Sequence, residues 1–127
     1  MKQPKVSFLT INFNSDKFTI RLLNSINKLN YKNFNVIIVD NGSSFSSYNN
    51  IKNVIKKYRF KIYLVRNEEN KGYTGGINLG IKKILQLRAK YIFTINNDML
   101  VDKNLLKEVV GVAEGDKNFG VCGAAMR

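Results

Sequence analysis

Histidine and tryptophan are absent from this chain of 127 residues, and cysteine and proline occur once each. Without histidine there is no Ser-His-Asp triad, no imidazole zinc site and no imidazole general base within these residues. Cys122 cannot form an intrachain disulfide. Set in the apolar run 119–125, it reads as a core thiol rather than a nucleophile. No apolar run approaches the roughly 18 residues that a membrane span needs. The opening MKQPK leads into a short strand-like run and not into a signal-peptide core, so the expected compartment is the cytoplasm. Acids are also scarce: nine stand against 21 lysines and arginines, a formal net charge of +12. Phosphorylated small molecules, anionic lipid and nucleic acid all suit that sign, while many of the lysines serve only as solvated helix surface. The densest patch is Lys56-Lys57-Tyr58-Arg59 with Lys61. Peripheral contact with a membrane surface is the preferred functional reading of the charge. Nucleic acid is not expected as a partner, because the basic residues are scattered and no recognition motif accompanies them.

What is present is a regular alternation. Runs 6–11, 36–39, 62–65 and 91–95 are apolar and rich in β-branched residues, and each reads as a strand; 119–125 reads as a fifth. Helical spacing separates them. Phe18, Leu22, Ile26 and Leu29 follow a cap at Ser15 or Asp16, and Tyr48, Ile51, Val54, Ile55 and Tyr58 mark a second helix. Ile77, Ile81, Ile84 and Leu85 mark a third, and Leu105, Leu106, Val109 and Val110 a fourth, capped by Asp102. Segments 41–47 and 67–76 are polar and glycine-bearing, which predicts loops. Continuous apolar strands between helices predict an α/β fold, one domain over residues 1–127, with a mostly parallel sheet flanked by helices. Ligands in such sheets sit beyond the carboxyl ends of the strands. Polar residues gather there: Asn12 and Asn14 after the first strand, Asp40 after the second, and Asn96, Asn97 and Asp98 after the fourth.

Several nucleotide sites are excluded. The first strand-to-helix turn, NFNSDK, lacks the glycines of a dinucleotide fold, and GYTGG supplies no Walker lysine. Instead four segments, in order and spacing, resemble glycosyltransferase family 2 with its GT-A fold. They are VSFLTINFN from Val6, VIIVDNGSS from Val36, NKGYTGGINLG from Asn70 and YIFTINND from Tyr91. The Gly-Gly-x-Asn and Asn-x-Asp variants are most similar to the rhamnosyltransferase-like branch. The resemblance implies that Ile11, Asn12 and Phe13 border the base and ribose, and that Asp40 accepts a hydrogen bond from the nucleobase. Gly72, Gly75 and Gly76 would let the backbone approach the diphosphate, with Lys71 as an anion partner. Asn96 and Asn97 complete the nucleotide-sugar site, and Asp98 would hold Mg2+ or Mn2+ against the diphosphate.

Two departures accompany the likeness. Asn96 replaces the first acid of the family's Asp-x-Asp and brings no charge. No acid after Asp98 looks like a catalytic base: Asp102, Glu108, Glu114 and Asp116 belong to a helix, or its flanks, whose pattern turns them to solvent. The expectation is therefore a GT-A domain that is incomplete at its C-terminus. It would bind a nucleoside-diphosphate sugar for inverting transfer to a glycan or lipid-linked acceptor in cell-surface glycan synthesis, and an uncovered apolar face would favour a homodimer. Two alternatives stay open. One is a non-catalytic nucleotide-sugar-binding module, or one partner of a split enzyme. The other is a basic protein that binds nucleic acid or membrane.

Overall fold

A computed structural model of the chain describes residues 3–116 and Gly120. The strands are β1 (Val6–Asn12), β2 (Phe34–Asn41), β3 (Lys61–Asn67) and β4 (Tyr91–Thr94). They alternate with α1 (Asp16–Ile26), α2 (Phe45–Val54), α3 (Gly72–Leu87) and α4 (Leu105–Glu114), and a 3-10 turn, Ile55–Lys57, extends α2. Among the described residues the sheet is four-stranded and wholly parallel, in the order β3-β2-β1-β4. β1 is thus flanked by β2 and by β4, and the strand order reverses between β1 and β4. The fifth expected strand, 119–125, lies outside the described residues apart from Gly120.

Period-two alternation sorts the strand residues onto two cores. Val6, Phe8, Val36, Ile38 and Ile62 pack with Leu22, Leu23, Ile26, Ile51, Leu106 and Val110, so α1, α2 and α4 share one face. Leu9, Ile37 and Val39 meet Ile84 of α3 on the other. The central strands are buried on both faces and are therefore mainly apolar until their carboxyl ends, with only Ser7, Thr10 and Asn35 polar before them. β4 differs. Tyr91, Phe93 and Ile95 pack inward, whereas Ile92 and Thr94 are exposed, and Ile92 keeps 41% of its surface.

Both expected loops are shorter than the sequence suggests. α2 begins at Phe45, because Ser44 caps it by accepting from the Ser47 amide at 3.3 Å. α3 begins at Gly72, so the glycine segment is its first turn and not a loop. Glycine is a poor helix former, but here contact demands it. A Cβ at Gly76 would stand 2.9 Å from Ile11 Cδ1, and one at Gly80 would stand 2.2 Å from Leu9 Cδ1. These residues are four apart on one helix face, and they let α3 lie directly on β1. Asp102 is not the cap residue of α4. Asn104 holds that place, and the Asp102 carboxylate accepts from the Asn104 amide at 2.9 Å just outside the helix.

Candidate functional site

The polar residues at the strand ends form one connected belt. Arg66, at the end of β3, donates to Asp40 of β2 at 2.5 Å. Asp40 accepts from Asn12 Nδ2 of β1 at 2.9 Å and from the Ser43 amide at 3.2 Å. The Asn12 side-chain oxygen accepts from Thr19 of α1 at 2.8 Å and from Ser15 at 3.3 Å. Asn97, beyond β4, donates to the hydroxyls of Ser15 at 2.7 Å and Thr19 at 3.0 Å. The belt therefore ties the carboxyl ends of all four strands to the start of α1. Register produces it: Asn12 lies opposite Asp40, and Asp40 opposite Arg66, so the three side chains emerge on the same face.

Belt members differ from their neighbours in what they leave free. Asn12 and Asp40 have no exposed surface, and every polar atom of both has a protein partner. A nucleobase N–H could reach Asp40 only if Arg66 shifted, together with the Phe45 and Tyr48 rings whose centroids lie 5.2 and 4.8 Å from its guanidinium carbon. Arg66 is the member of this belt that the sequence reading missed. Its signal was an arginine at the end of an otherwise apolar strand, on the face that carries the aspartate next door. Asn41, on the opposite face, is likewise consumed. It holds the following loop through Asn67, Asn70, the Lys71 amide and the Gly72 carbonyl, at 3.0 to 3.2 Å.

Other candidates face outward. Gly72 has φ +73, and nothing lies within 4 Å of where its Cβ would be, so the mouth of α3 is open. A Cβ at Gly75 would meet Lys71 Cβ at 2.6 Å, which ties that glycine to the turn before it. Phe13 is 47% exposed, and Ile11 is half-buried beneath Gly76. Lys71 pairs with Glu69 at 2.7 Å, both side chains lying in solvent. The Lys71 ammonium holds the Glu69 carboxyl below its ordinary pKa. Asn96 and Asp98 are exposed, and their side chains hydrogen-bond to no described residue. Asn97 between them, in the turn after β4, points inward to Ser15 and Thr19. The sequence-derived residues therefore do share the carboxyl edge, but Asn12, Asp40 and Asn97 build its floor, while Asn96, Asp98 and the opening of α3 face outward.

Four acids follow Asp98: Asp102, Glu108, Glu114 and Asp116. Asp102 and Glu108 are exposed. Glu114 accepts from Lys90 at 2.7 Å and from the Tyr91 hydroxyl, at the amino end of β4. No group of three or more His, Cys, Asp or Glu gathers among the described residues. A divalent cation here would take one protein carboxylate, Asp98, with the amide oxygen of Asn96 nearby in sequence, and would draw its remaining oxygens from a bound diphosphate and water. That donor set is oxygen-only and suits Mg2+ or Mn2+. Two open depressions, of about 460 and 580 Å3, lie at the opposite, amino end of the sheet, lined by Gln3, Tyr31, Lys32 and Arg59 and by Pro4, Asn33, Arg88 and Lys90. They share no residue with the carboxyl edge, where the strand order reverses and convergent polar groups lie.

Comparison with known proteins decides the family. The glycosyl transferase family 2 model matches residues 7–127. The chain belongs to that family. Its sequence is 33% identical over 87 residues to an uncharacterized protein of Methanocaldococcus jannaschii, an alignment covering 68% of this chain and 37% of that one. Its fold matches Staphylococcus aureus TarS in complex with UDP-GlcNAc at a TM-score of 0.75 and 20% identity, over 94% of this chain and 37% of the other. It also matches a Pyrobaculum calidifontis mannosyltransferase in complex with GDP-Man and Mn2+, at a TM-score of 0.76 and 17% identity, over 87% and 32%. The fold is therefore that of the GT-A glycosyltransferases. The chain spans about a third of the length of these proteins.

Proposed function

We propose that this chain is the donor-binding part of a metal-dependent, inverting glycosyltransferase of cell-surface glycan synthesis. The observation that carries the reading is the contrast at the carboxyl edge. Every side-chain polar atom of Asn12 and Asp40 on the floor is bonded within the protein, yet the Asn96 and Asp98 side chains stand exposed and hydrogen-bond to no described residue, at the point where strand order reverses. Family membership supports the donor class, and so do the relatives that hold UDP-GlcNAc and GDP-Man.

In the proposed reaction the acceptor hydroxyl oxygen attacks the anomeric carbon from the side opposite the diphosphate. The glycosidic bond to phosphate breaks, the diphosphate leaves with the electron pair, and the configuration inverts. A bound Mg2+ or Mn2+ would offset the charge that gathers on the diphosphate. Asp98 would hold that ion, Asn96 would bond a ribose hydroxyl, and the opening turn of α3 would present backbone N–H groups to the phosphates. Arg66 and Asp40 would border the base. On this reading none of Asp102, Glu108, Glu114 and Asp116 is the base that deprotonates the acceptor, so residues 1–127 alone should bind donor without transferring sugar at enzyme rates.

Titration calorimetry with a panel of UDP, GDP, dTDP and CMP sugars, with and without Mn2+, tests the reading. dTDP-rhamnose belongs in the panel because of the branch that the motif variants resemble. One base should bind, and Mn2+ should tighten it. Asp98→Asn should remove that metal effect, on the order of tenfold, while changing unfolding stability by less than about 0.5 kcal/mol. A chain that binds no member of the panel, or an unchanged metal effect in the mutant, would refute the assignment.

A further inference from the structure

The carboxyl edge uses little of the chain's positive charge, and much of the remainder gathers at the other end. In a parallel α/β sheet the loops that lead from helices into strands all lie at the amino edge. Two of these loops adjoin here. The segment 27–33 carries Lys28 and Lys32, and the segment 55–61 carries Lys56, Lys57, Arg59 and Lys61. All six are exposed, neither segment contains an acid, and none of the six takes part in an ion pair found among the described residues. Arg59 staples the loops together by donating to the carbonyls of Asn27, at 3.0 Å, and Leu29, at 3.2 Å. A depression of about 460 Å3, lined by Leu29, Asn30, Tyr31, Lys32 and Arg59 among others, opens at the junction.

We infer that this amino edge docks the protein on an anionic lipid bilayer. Like charges placed this close, without counter-charges, repel one another and cost stability, so a surface that keeps them invites an external polyanion. The cations stand on the two helix-to-strand connections and the first residue of β3, at one end of the sheet, which presents charge to a plane. The aromatic residues of the two segments are engaged within the protein: Tyr31 and Phe60 are buried, and the Tyr58 hydroxyl donates to Asn24 at 2.7 Å. None of the three rings is exposed, which favours lipid over single-stranded nucleic acid. The donor edge then faces away from the bilayer. Seven-residue strands such as β1 and β3 hold the two ends roughly 20 Å apart at about 3.3 Å per residue. An acceptor served by this site must accordingly reach that far from the lipid surface. Docking rests on the distribution of charge alone; only the reach required of the acceptor rests on the proposed donor site.

The test is co-sedimentation with vesicles of phosphatidylcholine alone, or of phosphatidylcholine with about one-third phosphatidylglycerol. The chain should bind only the anionic vesicles, and binding should fade towards 1 M salt as the Debye length shrinks from about 10 to about 3 Å. Lys56→Glu with Lys57→Glu should weaken binding about thirtyfold or more, since each basic residue near an anionic surface contributes roughly a fivefold factor. The control is Lys17→Glu with Lys82→Glu, which changes net charge equally but lies off the patch; it should retain most of the binding. Equal loss in both double variants would reduce the effect to net charge and overturn the docking surface. Absence of binding to anionic vesicles would overturn it too, as would stronger binding to duplex DNA or RNA at the same salt. Circular dichroism of both variants checks that the fold is kept.

Discussion

The end of β2 and the stretch after β4 carry the same residue types and use them in opposite ways. At β2, Asp40 and Asn41 are buried and fully bonded: Asp40 to Arg66, Asn12 and the Ser43 amide, Asn41 to the loop before α3. After β4, Asn96 and Asp98 lie in solvent, and only Asn97 is bonded inward. β2 is a central strand covered on both faces, so any polar side chain at its end must find a partner or incur the cost of desolvation. β4 pairs with β1 alone among the described strands, and α3 does not cover its second face. A polar residue there can remain free. An aspartate at a strand end is thus a ligand candidate only when its neighbours leave it uncommitted.

The largest expected effect follows from breaking the committed side. Asp40→Ala removes a buried carboxylate, strands Arg66 and leaves the Asn12 amide short of an acceptor. The expected loss is about 3 kcal/mol of unfolding free energy, read from urea denaturation. A loss below about 1 kcal/mol would mean that the belt does not hold the strand ends together, and the contrast with Asp98 would lapse.

Asn97 lies between the two regimes, and its replacement sharpens the comparison. Asn97→Ala removes the hydrogen bonds to Ser15 and to Thr19 of α1, so stability should fall by about 1 kcal/mol. The same change unties the turn that carries Asn96 and Asp98. On the proposed function, Mn2+ should then tighten nucleotide binding on the order of tenfold less than in the parent chain. Calorimetry with and without the metal separates the outcomes. If stability falls and the metal effect persists, Asn97 is an architectural tie with no bearing on Asp98.

The strands were legible because central strands of a parallel sheet are apolar on both faces, as 6–11 and 36–39 show, and because 62–65 and 91–95, at the ends of the described sheet, keep short apolar runs. The edge of the sheet was legible too, since polar residues can interrupt such runs only at the ends. The start of α3 was not. Helix propensity counts Gly72, Gly75, Gly76 and Gly80 against a helix, and the contacts with Ile11 and Leu9 that require glycine are tertiary. Nor could the sequence sort Asn12 and Asn97 from Asn96. All are asparagines at strand ends, and only the positions of Ser15 and Thr19 decide which of them are spent inside the protein. Arg66 needed the register between β2 and β3 before its pairing with Asp40 could be seen.

The smallest effect is expected at the amino end of β4, where Glu114 is bonded but exposed. It accepts from Lys90 and from the Tyr91 hydroxyl, and chiefly the Lys90 hydrogen bond holds its carboxyl below the ordinary value of 4.5, while Lys90 itself is raised. A carboxyl with a lowered folded pKa adds stability above its unfolded pKa and loses it as the pH falls through the folded value. The contact should therefore contribute at neutral pH, start to fade near pH 4.5 and vanish in stronger acid. Because the groups lie in solvent, screening leaves only a small contribution, and added salt should shrink it further. Melting temperatures of the parent chain and Glu114→Gln, taken from pH 7 down to about pH 3, test this against the buried pair. The two curves should differ slightly at neutral pH and converge in acid, whereas Asp40→Ala should stay far below both wherever the parent is folded. A gap for Glu114→Gln that is as large as that for Asp40→Ala, or that widens in acid, would show that exposure does not separate committed from uncommitted carboxylates in this fold.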